Sequence, residues 1–404
     1  TINIKKIGKN MNESGKDENW SNFKNKLFAH KGLALIGSAD IIGSAVSSIF
    51  WLVVASLLLV EEYGEISYFI AIASLGICCV VGSPQTLMVF STRYQKIVPT
   101  LLLLTLIFTV IASLIAFVIV QRFEIIFLIF SFIILEVSIT LLVGKKLYAK
   151  YSKFLLTQKI LQFAIGIGLF FLLGVNGVLI GIALANFSLI PIFYKELRYY
   201  KIDLSLLKPK KEFIINNNII YLISVFRRDI DKIIVVPILG FTVLGNFALT
   251  LQFFTIMMII SSISYKYLLP KDVSGEKNVK LKKFLILFSI IIAFSGFVFS
   301  PFFIENFFTK FSESIIPIQI ASFSVIPSTI SMILFSKILA LEKSRFLIIA
   351  NSVQLCVILI GTIFLGILYG IIGVTIAFVL GNTMHAITLA AINYNYVGKK
   401  KFDI

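Results

Sequence analysis

Histidine occurs only twice and cysteine three times in 404 residues, and charged residues make up just 14% of the chain. Each shortage excludes a chemistry. His30 and His385 lie far apart, and Cys78, Cys79 and Cys356 sit inside apolar runs, so neither a zinc spacing nor a disulfide framework can be drawn. The cysteines read as small core residues. There is no nucleophile elbow and no glycine-rich phosphate cradle. The sequence therefore offers no catalytic residues, no metal site and no cofactor, and is not expected to be an enzyme.

Apolar residues are abundant: they make up 58% of the chain, and mean hydropathy is +0.98, which places it among membrane proteins. A net charge of +17 would suggest nucleic acid in a water-soluble chain. Here it gathers in short connections, where it sets orientation, and no nucleic-acid partner is expected. Window hydropathy gives about 12 spans, at 32–60, 65–90, 98–120, 123–144, 153–173, 175–194, 214–240, 243–268, 281–303, 314–338, 344–368 and 371–396. The connections alternate in charge. One set carries Arg93 and Lys96, Lys145, Lys146 and Lys150, Lys195 to Lys211, Lys271 to Lys283, and Lys343 with Arg345. The other is acidic or bare: Glu61, Glu62 and Glu65, Arg122 with Glu124, Gly174–Gly177, Phe241–Gly245, Glu305 to Glu313, and Leu368–Gly370. An even count and the positive-inside rule predict a multi-pass protein of the cell membrane with both termini cytoplasmic. Before the first span, Trp20, Phe23, Leu27 and Phe28 repeat at helical spacing opposite Lys24, Lys26 and Lys31, as in a helix lying on an anionic leaflet. That first apolar run is too long for a cleavable signal.

The chain divides in two. The longest basic connection, 195–213, separates a first lobe at 32–194 from a second at 214–397, with a polar segment at 1–31 and a basic tail at 398–404. The lobes echo each other. Ser152-Lys153-Phe154-Leu155 with Gln162 matches Ser344-Arg345-Phe346-Leu347 with Gln354, and GVLIGIALAN (177–186) matches GVTIAFVLGN (373–382). Six spans per lobe give both the same orientation, a parallel repeat about an axis along the membrane normal. The expected fold is an all-α integral membrane protein, about 12 transmembrane helices in two pseudo-symmetric six-helix lobes around a central cavity.

One stretch does not suit a plain span. Ile214 to Gly240 is long enough to cross a bilayer, yet holds Arg227, Arg228, Asp229, Asp231 and Lys232 near its middle. On a helical wheel Asn217, Tyr221, Ser224, Arg228 and Asp231 share one face, flanked by Arg227 and Lys232. A charge facing lipid at mid-depth costs roughly 3 kcal/mol on insertion scales, so this face must meet protein or water. Two readings remain open: a ligand cavity, or ion pairs of Arg227 and Arg228 with Asp231 at helical spacing. Asp40, Glu136 and His385 also lie within spans, as do Lys159, Gln162, Gln252, Gln319 and Gln354. Pro84, Pro191, Pro237, Pro317 and Pro327 can bend theirs.

Arg227, Asp231-Lys232-Ile233-Ile234-Val235, Leu239-Gly240 and Leu244-Gly245-Asn246-Phe247-Ala248-Leu249 together resemble the seventh-span signature of the Wzx-type polysaccharide flippases. These form the O-antigen-transporter branch of the multidrug/oligosaccharidyl-lipid/polysaccharide exporter superfamily. Leu58 to Phe69, LLVEEYGEISYF, is similar too, and the resemblance runs along nearly the whole chain. The chain is shorter than the lipid II flippase branch, which usually adds two spans. The resemblance implies movement of a polyprenyl-diphosphate-linked oligosaccharide between leaflets by alternating access, with other glycan-assembly membrane proteins as partners. Arg227, Arg228, Asp231, Lys232, Asn217, Tyr221 and Ser224 are then the substrate-binding candidates, because guanidinium and ammonium groups grip phosphate oxygens. Asp40, Asp229, Glu136 and His385 are the candidates for coupling to a proton or sodium counter-ion. The rival readings are a cation-coupled multidrug exporter of the same superfamily and a membrane glycosyltransferase or polymerase. The latter needs a larger acidic-side loop than residues 304–313 provide.

Overall fold

A computed structural model describes residues 35–199, 201–273, 278–341 and 344–398. The surface helix expected within residues 1–31 and the basic tail beyond 398 lie outside those residues. Among the described residues every regular element is a helix. They are α1 (Leu35–Leu57), α2 (Val60–Gly76), α3 (Pro84–Arg93), α4 (Val98–Val120), α5 (Glu124–Gly144), α6 (Tyr148–Phe187) and α7 (Ile190–Arg198). After the short turn Leu204–Lys210 come α8 (Lys211–Met257), α9 (Ile259–Val273), α10 (Val279–Phe307), α11 (Ile315–Ser322), α12 (Val325–Ala340) and α13 (Ser344–Ile392).

Three of these are too long for one crossing. α6, α8 and α13 have 40, 47 and 49 residues, about twice what a bilayer's hydrocarbon core requires. Each breaks at a single glycine in a left-handed conformation: Gly174 (φ 60°), Gly240 (φ 84°) and Gly370 (φ 57°). Small residues then let the two arms of α6 and of α13 lie against each other. A Cβ on Gly177 would sit 2.0 Å from the Leu169 carbonyl oxygen, and one on Gly373 1.8 Å from that of Leu365. Seven helices are long and apolar enough to span. Counting the three broken ones twice, and each of two bent pairs as one, gives twelve. The bent pairs are Val60–Cys79 with Pro84–Arg93 (42°) and Thr309–Ser322 with Val325–Ala340 (43°). Pro84, Pro191 and Pro327 each fall in the first turn after a break, where a missing N–H costs nothing.

Some boundaries differ from the hydropathy reading. The second span begins at Val60 rather than 65, so Glu61 and Glu62 form the first turn of α2, not a loop. The Glu62 carboxylate accepts the Leu59 N–H at 2.8 Å, and acidic groups suit the positive end of a helix. The sixth span breaks at Ser188–Leu189 and continues as α7.

The first six spans share one apolar core, with Phe50, Leu58, Ile66, Leu101, Leu128, Val137 and Leu179 buried in it. The second lobe holds smaller clusters, such as Val235, Leu244, Phe247 and Val374. The lobes meet at the acidic end. A Cβ on Gly64 would lie 2.0 Å from the Phe241 carbonyl oxygen, and one on Gly245 1.9 Å from that of Val60. Beside them Tyr63 stacks edge-on against Phe311 at 5.7 Å. The Lys310 ammonium donates to the Leu58 carbonyl at 3.4 Å.

The repeat survives in detail, with one change of register. Gln158 donates to Asn186 (2.7 Å) and Gln354 donates to Asn382 (3.0 Å), each pair bridging the two arms of its glycine hairpin. The partner of Gln354 in the repeat is thus Gln158, whereas sequence matching selects Gln162, one turn away. Counting from the shared Ser-Lys/Arg-Phe-Leu misleads because one helical turn separates that motif's register from that of the hairpin. Gln162 accepts a bond from Gln158 instead.

Candidate functional site

Three adjoining cavities lie between the lobes and within the second lobe. The first, about 400 Å³, runs from Gly37, Asp40, Ser44 and Ser47 of α1 past Lys159 of α6 to Gln252, Thr255 and Ser262 of α8 and α9. The second, about 180 Å³, is walled by Trp51, Tyr63, Ser67, Lys232, Gln252 and Thr255. The third, about 380 Å³, lies inside the second lobe and includes Arg227, Thr255, Ser262, Ser331, Asn382 and His385 in its lining. Thr255 lines all three, so they lie side by side around that residue of α8.

The charged stretch of α8 distributes itself around these cavities. Arg227 turns into its own lobe, where Nη1 donates to Gln354 Oε1 at 2.8 Å. Lys232 lines the smallest cavity. Arg228, Asp229 and Ser224 lie along α8 where it packs on the first lobe, and there the sequence's ion pairs are rearranged. Asp229, with a side chain only 7% exposed, takes Lys232 Nζ on Oδ1 (2.7 Å) and both Arg228 Nε (2.9 Å) and the Ser74 hydroxyl (2.6 Å) on Oδ2. Arg228 also donates Nη2 to Ser74 Oγ at 2.8 Å. Asp231 pairs with neither arginine. It is buried and accepts the backbone N–H of Lys232 at 2.8 Å. An adjacent carboxylate is the nearer acceptor for Arg228, and so the expected spacing rule loses. Ser74 sits on α2, which makes this cluster a bond between lobes.

The remaining candidates do not converge on one point. Tyr221 donates to Glu136 of α5 at 3.3 Å, a second contact across the seam. Asn217 donates to the Phe213 carbonyl and Ser224 to that of Ile220, both along their own helix. Asp40 lines the first cavity and accepts the Tyr151 hydroxyl. His385 lines the third cavity. Among the described residues no three His, Cys, Asp or Glu side chains gather closely enough to hold a metal ion.

Lys159 is the residue that sequence reading undervalued. Its side chain lines the 400 Å³ cavity, and none of the described side chains bonds or pairs with it. It lies three turns into α6 with no carboxylate one turn away on either side. That pattern, a lysine well inside a span without a helical partner, was the available signal. Ser74 carried none, because a serine within an apolar span is more often packing than a ligand.

The architecture matches transporters of known structure. Lipid II flippase MurJ in an inward closed conformation superposes with a TM-score of 0.71 at 14% identity, over 89% of this chain and 87% of that one. A multidrug resistance MATE family transporter in an outward-facing conformation gives 0.62 at 16%, over 92% and 97%. A MOP superfamily transporter from Pyrococcus furiosus, described as having a binding pocket of reverse polarity, gives 0.57 at 14%, over 92% and 96%. No protein-family model matches the sequence, and no curated protein is similar to it. At these identities the likeness is one of fold. The chain has the twelve-span, two-lobed fold of MOP-superfamily transporters.

Proposed function

We propose that this protein is a flippase of the cell membrane. It moves a polyprenyl-diphosphate-linked oligosaccharide from the inner to the outer leaflet by alternating access, for assembly of a cell-surface glycan. The moving bodies are the lobes at 32–194 and 214–397, both termini are cytoplasmic, and the prenyl chain stays in lipid at the seam. One observation carries the reading: the set of three neighbouring cavities presents more cations than anions. Lys159, Arg227 and Lys232 border it, whereas Asp40 is its one carboxylate among the described lining residues. Asp229 is already gripped by three donors and Asp231 is buried. An ammonium held at depth without a partner costs several kcal/mol. An entering diphosphate removes that cost and supplies acceptors for the donors. Arg228, whose side chain is 56% exposed, can join them once the lobes part.

Asp40 supports the second reading, a cation-coupled multidrug exporter, since its carboxylate faces the same cavity. In the flippase it is the site for a proton or sodium ion that drives the return step. The deciding experiment compares Lys159→Gln with the native protein in binding polyprenyl diphosphate and in flipping a lipid-linked oligosaccharide in proteoliposomes. The variant should lose both while remaining folded. Native protein that ignores the diphosphate lipid but carries organic cations would establish the exporter instead.

A further inference from the structure

Four buried polar atoms around the second-lobe cavity have no hydrogen-bond partner: Arg227 Nε, Ser328 Oγ, Ser331 Oγ and His385 Nε2. Buried polar groups left unpaired are costly and rare in folded proteins, and four on one wall set point to a missing polar occupant. Many helical hydroxyls of the chain turn back onto a carbonyl one turn earlier, as Thr109, Ser113, Ser224, Thr255 and Thr383 do. Ser328 and Ser331, one turn apart on α12, do not. Ser331 and His385 are only 5% and 7% exposed.

The lining defines the occupant's chemistry. It contains one cation, Arg227, and no carboxylate among the described residues, so an organic or metal cation is disfavoured. Hydroxyl, imidazole, amide and guanidinium groups alternate with the apolar faces of Phe254, Tyr265 and Phe335. A ring of hydroxyls with a C–H face between them is what such a wall complements. The volume of about 380 Å³ lies in the range of small-molecule sites. The corresponding bridge of the first lobe is built differently. There the matching Gln158–Asn186 bridge is closed by Gln162 and Ser131.

We infer that this cavity is a sugar-binding subsite, which takes one pyranose unit of the substrate's glycan between α8, α12 and the second arm of α13. The inference rests on the flippase reading, in which the diphosphate lies in the adjoining cavity beside Lys159. Thr255 and Ser262 line both cavities, which places the sugar site next to the diphosphate site.

Purified full-length protein is titrated with bare polyprenyl diphosphate and with the same lipid carrying a single hexose, N-acetylhexosamine or hexuronic acid. At least one sugar-bearing lipid should bind about tenfold or more tighter than the bare one, as two or three new buried hydrogen bonds allow. Ser331→Met, which fills the cavity, and Ser328→Ala, which removes a polar atom with little change of shape, should each abolish that advantage. Both should bind the bare lipid as the native protein does, which also shows them to be folded. Native protein that binds all four lipids alike overturns the subsite and leaves the flippase reading standing. Variants that weaken bare and sugar-bearing lipids equally do the same. Native protein that binds none of them overturns the flippase reading, and the subsite with it.

Discussion

The contact at Gly245 sets how firmly the two lobes close at their acidic end. An alanine there would place its Cβ 1.9 Å from the Val60 carbonyl oxygen. The obstacle is backbone, so no rotamer change relieves it. Restoring ordinary van der Waals contact requires α2 and α8 to part by about 1.5 Å at that point. Overpacking of this kind costs about 1–3 kcal/mol, which lowers the population of the closed acidic end about 5- to 150-fold. Ser67 on the wall of the small cavity reports the opening. A lone cysteine at Ser67, with Cys78, Cys79 and Cys356 replaced by serine, is labelled with an impermeant thiol reagent added on the side of Glu61 and Glu62. Labelling should be slow with Gly245 intact and much faster in Gly245→Ala. Gly64→Ala should act alike, since its Cβ would lie 2.0 Å from the Phe241 carbonyl oxygen. Gly168→Ala meets nothing within 4 Å and serves as the control. Equal labelling rates in Gly245→Ala and the native protein would refute the idea that these glycines seal the lobes.

Asp229→Ala should be the most damaging change in the charged cluster. It strands the Lys232 ammonium within the membrane, a loss of about 3–5 kcal/mol read as a large fall in unfolding temperature. Arg228→Ala, at a half-exposed side chain, should cost about 1 kcal/mol or less. It should still reduce flipping, with Arg228→Lys restoring only part because an ammonium lacks the planar fork. Asn186→Ala should destabilise by about 1–3 kcal/mol, by removing the Asn186 acceptor of Gln158 and donor to Ser131 in the first lobe, without altering binding of polyprenyl diphosphate. Single cysteines at Ser205 and Ser312 should be labelled from opposite faces of the membrane. Labelling from one face would contradict the twelve-span order.

Much of the architecture was legible because a bilayer imposes simple rules. Backbone groups must be paired, so spans are helices of a fixed length. The uncharged connections at Gly174, Gly240 and Gly370 could be read as turns because glycine alone adopts the required left-handed conformation cheaply. Hydropathy could not place Glu61 and Glu62 inside α2, since a window average does not register a helix N-terminus that stabilises carboxylates. Nor could it see the break between Gly76 and Pro84, because Val80 to Ser83 is as apolar as the helices beside it.

The site was legible in kind but not in wiring. A wheel places side chains on a face; it does not say which of several neighbours each will choose. Arg228 could meet Asp229 or Asp231, and only the approach of Ser74 from the other lobe makes Asp229 the common acceptor. That choice has a mechanical consequence. A serine that supplies one of three bonds to Asp229 can withdraw when the lobes separate, while Arg228 and Lys232 keep the carboxylate neutralised from within α8. Under the alternating access proposed above, the charge pairing would therefore travel with the second lobe. The bonds that this motion would break across the seam include Ser74 to Asp229 and Tyr221 to Glu136, in each of which one partner is a neutral hydroxyl. In the proposed flippase, those are weak enough, net, for the binding energy of a lipid-linked substrate to exchange.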